Sequence, residues 1–326
     1  MKLPEPFIQL PLQYDADRLC EEVAALGNDA WKAHPMGYPG NSMLPLIAAC
    51  GDPSDEGFSG PMRPTPELRR CPYLIQVLAS FGATLGRTRL MRLAGHAEVT
   101  PHVDQGYYWV DRMRVHVPVL TQPTVRFECG DAAVHMAAGE CWIFDTWREH
   151  RVLNESGDMR IHLVADTVGG DRFWGYVARG RSNPSDRGPW KAERLEFTEG
   201  RPVELQCETM NVPKVMSPWE MGAHFGLLFG DAEQHPQLAT VAQMTSYFLR
   251  IWKSLWMRYG ESGEGAAEYR NELARYVEAV RIPGQPLNLK NGIGWYSAMM
   301  MIVAKPALRE ESAGRIGNGY GVEDNA

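Results

Sequence analysis

Between Arg87 and Thr167 the chain is cut into six short segments, each the length of one β-strand. They are Arg87–Leu93, Arg112–Leu120, Thr124–Glu128, Ala132–Met136, Cys141–Phe144 and Met159–Thr167. Turn material such as Cys129-Gly130-Asp131 and Asn154-Glu155-Ser156-Gly157-Asp158 separates them. Two of the segments alternate clearly. Val115, Val117 and Val119 share one face of their strand while Arg114 and His116 share the other, and Arg160 and His162 again fall together. Short antiparallel strands at this spacing predict a sandwich or a jelly roll.

The flanks have a different texture. Leu19, Val23 and Leu26 are spaced as on a helix, with Asp15 or Asp17 as its cap and Gly27 as its stop. From Trp31 to about Pro66 the density of Gly, Pro, Asn, Ser and Asp predicts a long irregular region. Glu67–Phe81 reads as a second helix, interrupted at Pro72. After about residue 206 the pattern becomes helical over Pro218–Phe229, Pro236–Tyr259, Glu264–Val280 and Ile293–Ala304, with Pro283-Gly284-Gln285-Pro286 as a break. Trp252 and Trp256, four apart, fit the core or an interface of this lobe. The Gly-, Glu- and Asn-rich tail after about Arg309 is expected to be flexible. Two domains follow as the expectation, 1–205 and 206–326.

Composition narrows the class. A net charge of −7 and a pI near 5.8 argue against a basic nucleic-acid surface. No apolar run reaches the roughly 18 residues of a membrane span, and the first residues lack the pattern of a secretory signal. Cys20, Cys50, Cys71, Cys129, Cys141 and Cys207 are scattered without a CxxC pair, which suits reduced thiols and a cytoplasmic location.

The chemistry concentrates in His102-Val103-Asp104, His150 and Arg160. Two imidazoles and a carboxylate are the side chains of the facial triad that holds non-heme Fe(II) and leaves positions open. On an extended strand His102 and Asp104 would face the same way. His150 follows His102 by 48 residues and must come from another strand. Arg160 offers a fork suited to a carboxylate. Alone, an HxD is also what a surface loop with a local hydrogen bond would show. His162 shares the face of Arg160 and fits either the support of a ligand or a satisfied core histidine. His96 and His135 read as turn or strand residues. Tyr107, Tyr108 and Trp109, directly after the HxD, fit a wall of the pocket or ordinary packing. Asp145 and Trp147 fit support of a ligand or a turn, and Asn154 a turn support. Gly37-Tyr38-Pro39-Gly40-Asn41-Ser42 reads as an ordered loop.

Taken in order, Arg92-Leu93-Ala94-Gly95, His102-Val103-Asp104, Arg114-Val115-His116, Gly139-Glu140, His150-Arg151-Val152-Leu153-Asn154 and Arg160-Ile161-His162-Leu163 resemble the aspartyl/asparaginyl β-hydroxylase family. This family of Fe(II)- and 2-oxoglutarate-dependent dioxygenases includes amino-acid hydroxylases such as proline cis-4-hydroxylase. The likeness covers roughly residues 87–168. It implies a double-stranded β-helix (jelly-roll, cupin-like) core. With the N-terminal helices and the C-terminal helical lobe read from the residue pattern, the lobe lying outside the resemblance, the expected fold is α+β. It also implies that His102, Asp104 and His150 hold Fe(II), and that Arg160 pairs with the distal carboxylate of 2-oxoglutarate. Arg114 and His116 match contacts to cosubstrate or substrate. Asp104 matches the members that have a carboxylate there; the animal peptide hydroxylases do not, and related halogenases lack it to admit chloride. A serine of the animal enzymes falls at Met91.

The expected activity is hydroxylation of an unactivated carbon of an amino acid or aspartyl/asparaginyl-type substrate. That substrate is free, within a peptide or bound to a carrier protein, and O2 and 2-oxoglutarate are consumed with release of succinate. Desaturation stays open. No nucleic-acid or membrane partner is expected. The C-terminal lobe is a candidate for covering the site, forming a homodimer or recognising a larger partner. The competing reading is a cupin-like protein that binds or senses a metal or small acid without turnover. A third treats the histidines as incidental and the lobe as the functional part.

Overall fold

The structure, a computed structural model, describes residues 1–35, 37–182, 190–200 and 202–309. The tail beyond Arg309, with its expected flexibility, lies outside the described residues. The chain divides into two compact units: Met1–Asp104 with Asp111–Thr209, and Gln105–Val110 with the chain from Met210 on. The division thus differs from 1–205 and 206–326 in two ways. Residues 105–110 go with the helical unit, and 206–209 go with the first.

The first unit begins with β1 (Phe7–Tyr14) and α1 (Ala16–Ala25), then β2 (Lys32–Ala33), β3 (Asn41–Ala49) and β4 (Met62–Pro64). Helices α2 (Pro66–Arg69) and α3 (Pro72–Ser80) precede β5 (Thr84–Leu93) and β6 (Glu98–His102). Helix α4 (Tyr107–Val110) belongs to the second unit. The first unit resumes with β7 (Met113–Leu120), β8 (Val125–Cys129), β9 (Ala132–Val134), β10 (Glu140–Phe144), β11 (His150–Asn154) and β12 (Arg160–Gly169). It closes with α5 (Asp171–Ala178) and β13 (Glu193–Leu195).

From β5 to β12 the chain alternates between two sheets. Strands β5, β7, β10 and β12 join a nine-stranded sheet ordered β13-β1-β10-β7-β12-β5-β3-β2, with β4 on β3; β6, β8, β9 and β11 form a second sheet ordered β6-β11-β8-β9. All pairings except β1 with β13 are antiparallel. Repeated crossing between two antiparallel sheets is the jelly roll, so the double-stranded β-helix is the fold of this unit.

The nine-stranded sheet has two unlike faces. Val115, Val117, Val119, Leu163, Ala165, Leu90 and Leu44 point outward and are buried beneath Leu19 and Val23 of α1 and Leu74 and Leu78 of α3. The inner face meets the second sheet at one end through Phe7, Leu93, Trp142, Phe144, Val125, Phe127 and Val152. The rest of that face carries the polar residues described below.

Local chemistry sets the helices. Asp15 caps α1, its carboxylate accepting the Arg18 N–H at 3.1 Å. Helix α3 has no cap of its own. Glu22 of α1 instead accepts the N–H groups of Tyr73 and Leu74 at 2.7 and 2.9 Å, which fixes the two helices together.

The expected irregular region of 31–66 is corrected: it contains β2, β3 and β4. Strand β3 is buried along nearly its whole length, so it shows no alternation for a sequence pattern to catch. Strand β1 and helix α5 were also not expected, whereas β6 and β11 supply the strands expected to carry His102 and His150. Strand β6 is an exposed edge strand containing Pro101.

The second unit is helical: α4 with α6 (Pro218–Asp231), α7 (Leu238–Tyr259), α8 (Ala266–Gly284) and α9 (Trp295–Met299), the last running into a π-helical turn at Met300–Ala304. Helix α8 continues through Pro283, so the break falls after Gly284. Trp252 is fully buried, donates to the Met216 carbonyl at 2.9 Å and packs on Tyr269. Phe248 stacks on Tyr276 with centroids 4.1 Å apart. Among the described residues no helix is long and apolar enough to cross a membrane.

Candidate active site

Cross-strand register brings the two metal-type histidines together. In the β6–β11 pair His102 stands directly opposite His150, with ring centroids 4.2 Å apart. In each imidazole Nδ1 lies on a backbone carbonyl two residues back: Thr100 at 2.8 Å for His102, Arg148 at 2.9 Å for His150. A carbonyl accepts only, so Nδ1 carries the hydrogen and Nε2 presents its lone pair. The backbone thereby sets both rings in the tautomer a metal needs.

Asp104 reaches the same point by another route. His102 ends β6, and Asp104 lies beyond it, which corrects the reading of both residues on one extended strand. The Asp104 N–H donates to the Thr146 carbonyl at 3.1 Å. Asp145 builds that turn, accepting the Trp147 N–H at 3.0 Å and the Arg148 guanidinium at 2.9 Å. One turn thus positions Asp104 and leads into His150.

The donor atoms of His102, Asp104 and His150 all lie within 4.8 Å of one another, and this is the one such cluster among the described residues. Asp104 Oδ1 is 3.9 Å from His102 Nε2, and Oδ2 is 4.0 Å from His150 Nε2. Asp104 Oδ1 and His150 Nε2 are buried without a hydrogen-bond partner. Two lone-pair nitrogens and an orphaned carboxylate oxygen fit a divalent metal.

Burial and charge prepare these groups. Burial pushes the Asp104 carboxyl up, but Arg114, then His150 and His102, outweigh it and hold it below the ordinary value. Arg114 Nη1 is 2.8 Å from Asp104 Oδ2. Burial drives His150 down to about 3 against the pull of Asp104. The set is therefore a carboxylate and a neutral imidazole at neutral pH, together with His102.

Deeper on the inner face stand Arg160, His162 and His116. Arg160 is 3% exposed, its Nε and Nη2 have no hydrogen-bond partner, and burial pushes it down to about 9. His116 and His162 meet Nδ1 to Nδ1 at 3.4 Å. One donates and the other accepts, so the pair turns one Nε2 donor and one Nε2 acceptor into the pocket. Burial first, then Arg160, keeps both far below the ordinary histidine value.

The expected residues converge: His102, Asp104, His150, Arg114, His116, Arg160 and His162 all belong to this inner region. The remaining residues have their own local settings. His96 occupies a positive-φ turn (φ 59°), and His135 bonds the Val125 carbonyl at 3.0 Å. Met91 stands opposite His162 and Met43. Tyr107 bonds Glu220 at 2.5 Å within the helical unit, where Tyr108 and Trp109 are buried. Asn41 and Ser42, the end of the expected loop, open β3.

Asn154 ties the turn before β12 to β5, donating to the carbonyls of Ala94 and Asp158 at 2.9 and 2.8 Å. A Cβ on Gly95 would come within 2.2 Å of the Gly157 carbonyl oxygen, so only glycine lets that turn close. Arg160 stands opposite Leu93 as a result.

Sequence reasoning missed Asp166, Arg87, Arg89 and His34. Asp166 is 1% exposed, with Arg114 Nε at 3.3 Å and Arg87 Nε at 3.9 Å. The signal was present: Asp166 continues the period-two series of Arg160, His162 and Val164, and Arg87 and Arg89 share a face of β5.

The family model described as aspartyl/asparaginyl beta-hydroxylase matches residues 15–169, just under half the chain. Over those residues the chain is similar to that family. A 2OG-Fe(II) oxygenase family oxidoreductase from Burkholderia pseudomallei is 13% identical, covering 51% of this chain and 87% of its own, with a TM-score of 0.34. A prolyl-4-hydroxylase from Pseudomonas putida is 15% identical over 50% of this chain and 92% of its own, with a TM-score of 0.35. A cupin domain from Bordetella pertussis is 19% identical over 25% of this chain and 79% of its own, with a TM-score of 0.21. No curated protein matches this chain in sequence.

Proposed function

We propose that the protein is an Fe(II)- and 2-oxoglutarate-dependent dioxygenase that hydroxylates an unactivated carbon of an amino acid or amino-acid-like substrate. The observation that carries this is the convergence of His102, Asp104 and His150, with lone pairs and an orphaned carboxylate oxygen turned to one point. His102 Nε2, Asp104 Oδ1 and His150 Nε2 would hold the iron. Bound there, Fe(II) would supply the redox chemistry that lets O2 attack a C–H bond while 2-oxoglutarate is oxidised to succinate and CO2. One oxygen atom enters the substrate and the other enters succinate.

The chain's own residues do the rest. Arg160 holds the distal carboxylate of 2-oxoglutarate with its unpartnered Nε and Nη2. His116 and His162 line that space as neutral imidazoles and add one donor and one acceptor. Arg114 fixes Asp104 through Oδ2, which leaves Oδ1 for the metal. Phe127 and Phe144 pack edge-on against the His116 ring, holding its orientation and excluding water.

The test is a panel of amino acids and aspartyl or asparaginyl peptides with Fe(II), 2-oxoglutarate and O2. Mass spectrometry should show a gain of one oxygen, with succinate formed in step. His150→Ala should abolish both. Metal binding without succinate formation, in the presence of every panel member, would favour the cupin-like sensor.

A further inference from the structure

Arg89 is an inner-face cation that the proposed reaction leaves unused and that, unlike Arg87, no described carboxylate faces. It is 3% exposed and stands opposite Val164 of β12, whose neighbour on the far side is His116 of β7. It therefore sits in the same cross-sheet row as a pocket residue. Its hydrogen-bond contact is weak: Nη1 lies 3.9 Å from the Met43 sulfur, while Nε is buried with no partner. No described carboxylate lies within ion-pair distance of it.

The other buried arginines differ. Arg112 is held by Glu208 in two parallel bonds of 2.8 and 3.0 Å. Arg114 is answered by Asp104 and Asp166, and Arg87 leans on Asp166. Arg160 is matched by the cosubstrate in the reading above. His34, also buried, lies in electrostatic range of Arg89. Burial, then the charges of Arg89 and Arg87, push His34 down to about 4, so it adds no charge at neutral pH. A guanidinium taken out of water without a counter-charge is strongly unfavourable unless a ligand supplies one.

We propose that Arg89 is the anchor for a free carboxylate of the substrate, seated inside the jelly roll beside the cosubstrate. The inference rests on the dioxygenase reading and narrows it. The substrate is a free amino acid or an acidic side chain; an aminoacyl thioester of a neutral residue on a carrier protein has no such group. The fork of Arg89 would take both carboxylate oxygens.

The experiment uses the Mn(II)-loaded protein with 2-oxoglutarate under anaerobic conditions, so that binding is read without turnover. The probes are the L-amino acids, aspartyl peptides and their carboxamides, titrated by calorimetry. At least one carboxylate should bind, and its carboxamide should bind about 30-fold or more weakly, the loss typical of an unpaired buried charge. Arg89→Gln should lose the same factor for the carboxylate, bind carboxylate and carboxamide alike, and keep its 2-oxoglutarate affinity. Arg89→Lys, which keeps the charge and serves if Arg89→Gln does not fold, should bind between the two. Unchanged carboxylate binding in either variant, loss of 2-oxoglutarate binding in Arg89→Gln, or no carboxylate binder in the panel would overturn the proposal. The dioxygenase reading is separately exposed: wild-type protein that binds a carboxylate through Arg89 but never binds 2-oxoglutarate removes that reading and leaves the anchor standing.

Discussion

The two faces of the nine-stranded sheet are made from the same strands and do opposite work. On β12 the outward residues Ile161, Leu163 and Ala165 join the main core, while the inward residues Arg160, His162 and Asp166 are equally buried and polar. On β7 the outward Val115, Val117 and Val119 contrast with inward Arg114 and His116. One face gains free energy by removing apolar surface from water. The other loses free energy, because it holds desolvated charges and imidazoles whose partners are incomplete. Period two places the two jobs one residue apart, so the helices α1 and α3 behind the sheet stabilise a pocket they never touch.

The largest expected effect that would break this contrast is at Asp104. Asp104→Ala should remove activity beyond the roughly 10–100-fold that loss of a ligand's hydrogen-bond partner causes. Its thermal transition should stay near that of the wild type, since Asp166 still faces Arg114. A fully active variant would take Asp104 out of the metal set, and an unfolded one would show that the inner face carries stability after all.

Next in size is a comparison of neighbours. Leu163→Ala should cost about 2–5 kcal/mol in chemical denaturation, the range for emptying a packed core position. Its affinity for 2-oxoglutarate should not change. His162→Gln should do the reverse, weakening 2-oxoglutarate binding for a stability loss of about 1 kcal/mol. Equal stability losses at the two positions would erase the distinction between the faces.

How far the sequence foretold this follows from the same contrast. Where a strand has one apolar and one polar side, as in β7 and β12, alternation was legible and so were Arg114, His116, Arg160 and His162. Where both sides are buried, as in β3, the run Met43-Leu44-Pro45-Leu46-Ile47 shows no period, and the surrounding Gly and Pro read as loop. Strand β6 is a short, largely exposed edge broken by Pro101, so it shows no apolar alternation, and the opposition of His102 to His150 was invisible. Asp166 and Arg89 obeyed the right period but bore no motif.

The smallest effect concerns pH. Burial lowers His34 to about 4 and His150 to about 3, and it lowers His116 and His162 far below their ordinary value. The unfolded chain therefore binds more protons than the folded one below about pH 6.5. Stability is full above that value and falls as pH drops toward the folded values. For His34 alone the loss between pH 6.5 and 5.5 is about 1 kcal/mol. Denaturation of metal-free His34→Gln should show a correspondingly flatter pH dependence, and an unchanged slope would mean that His34 titrates normally.

The opposition of His102 and His150 has a kinetic consequence. Two imidazoles 48 positions apart meet only when β6 and β11 pair, which closes a loop that contains β7 to β10. Contacts of such long sequence separation form late, because loop closure must be met before they contribute. Until then the chain offers at most a single imidazole at that point, and high-affinity metal uptake would act as a clock for completion of the jelly roll.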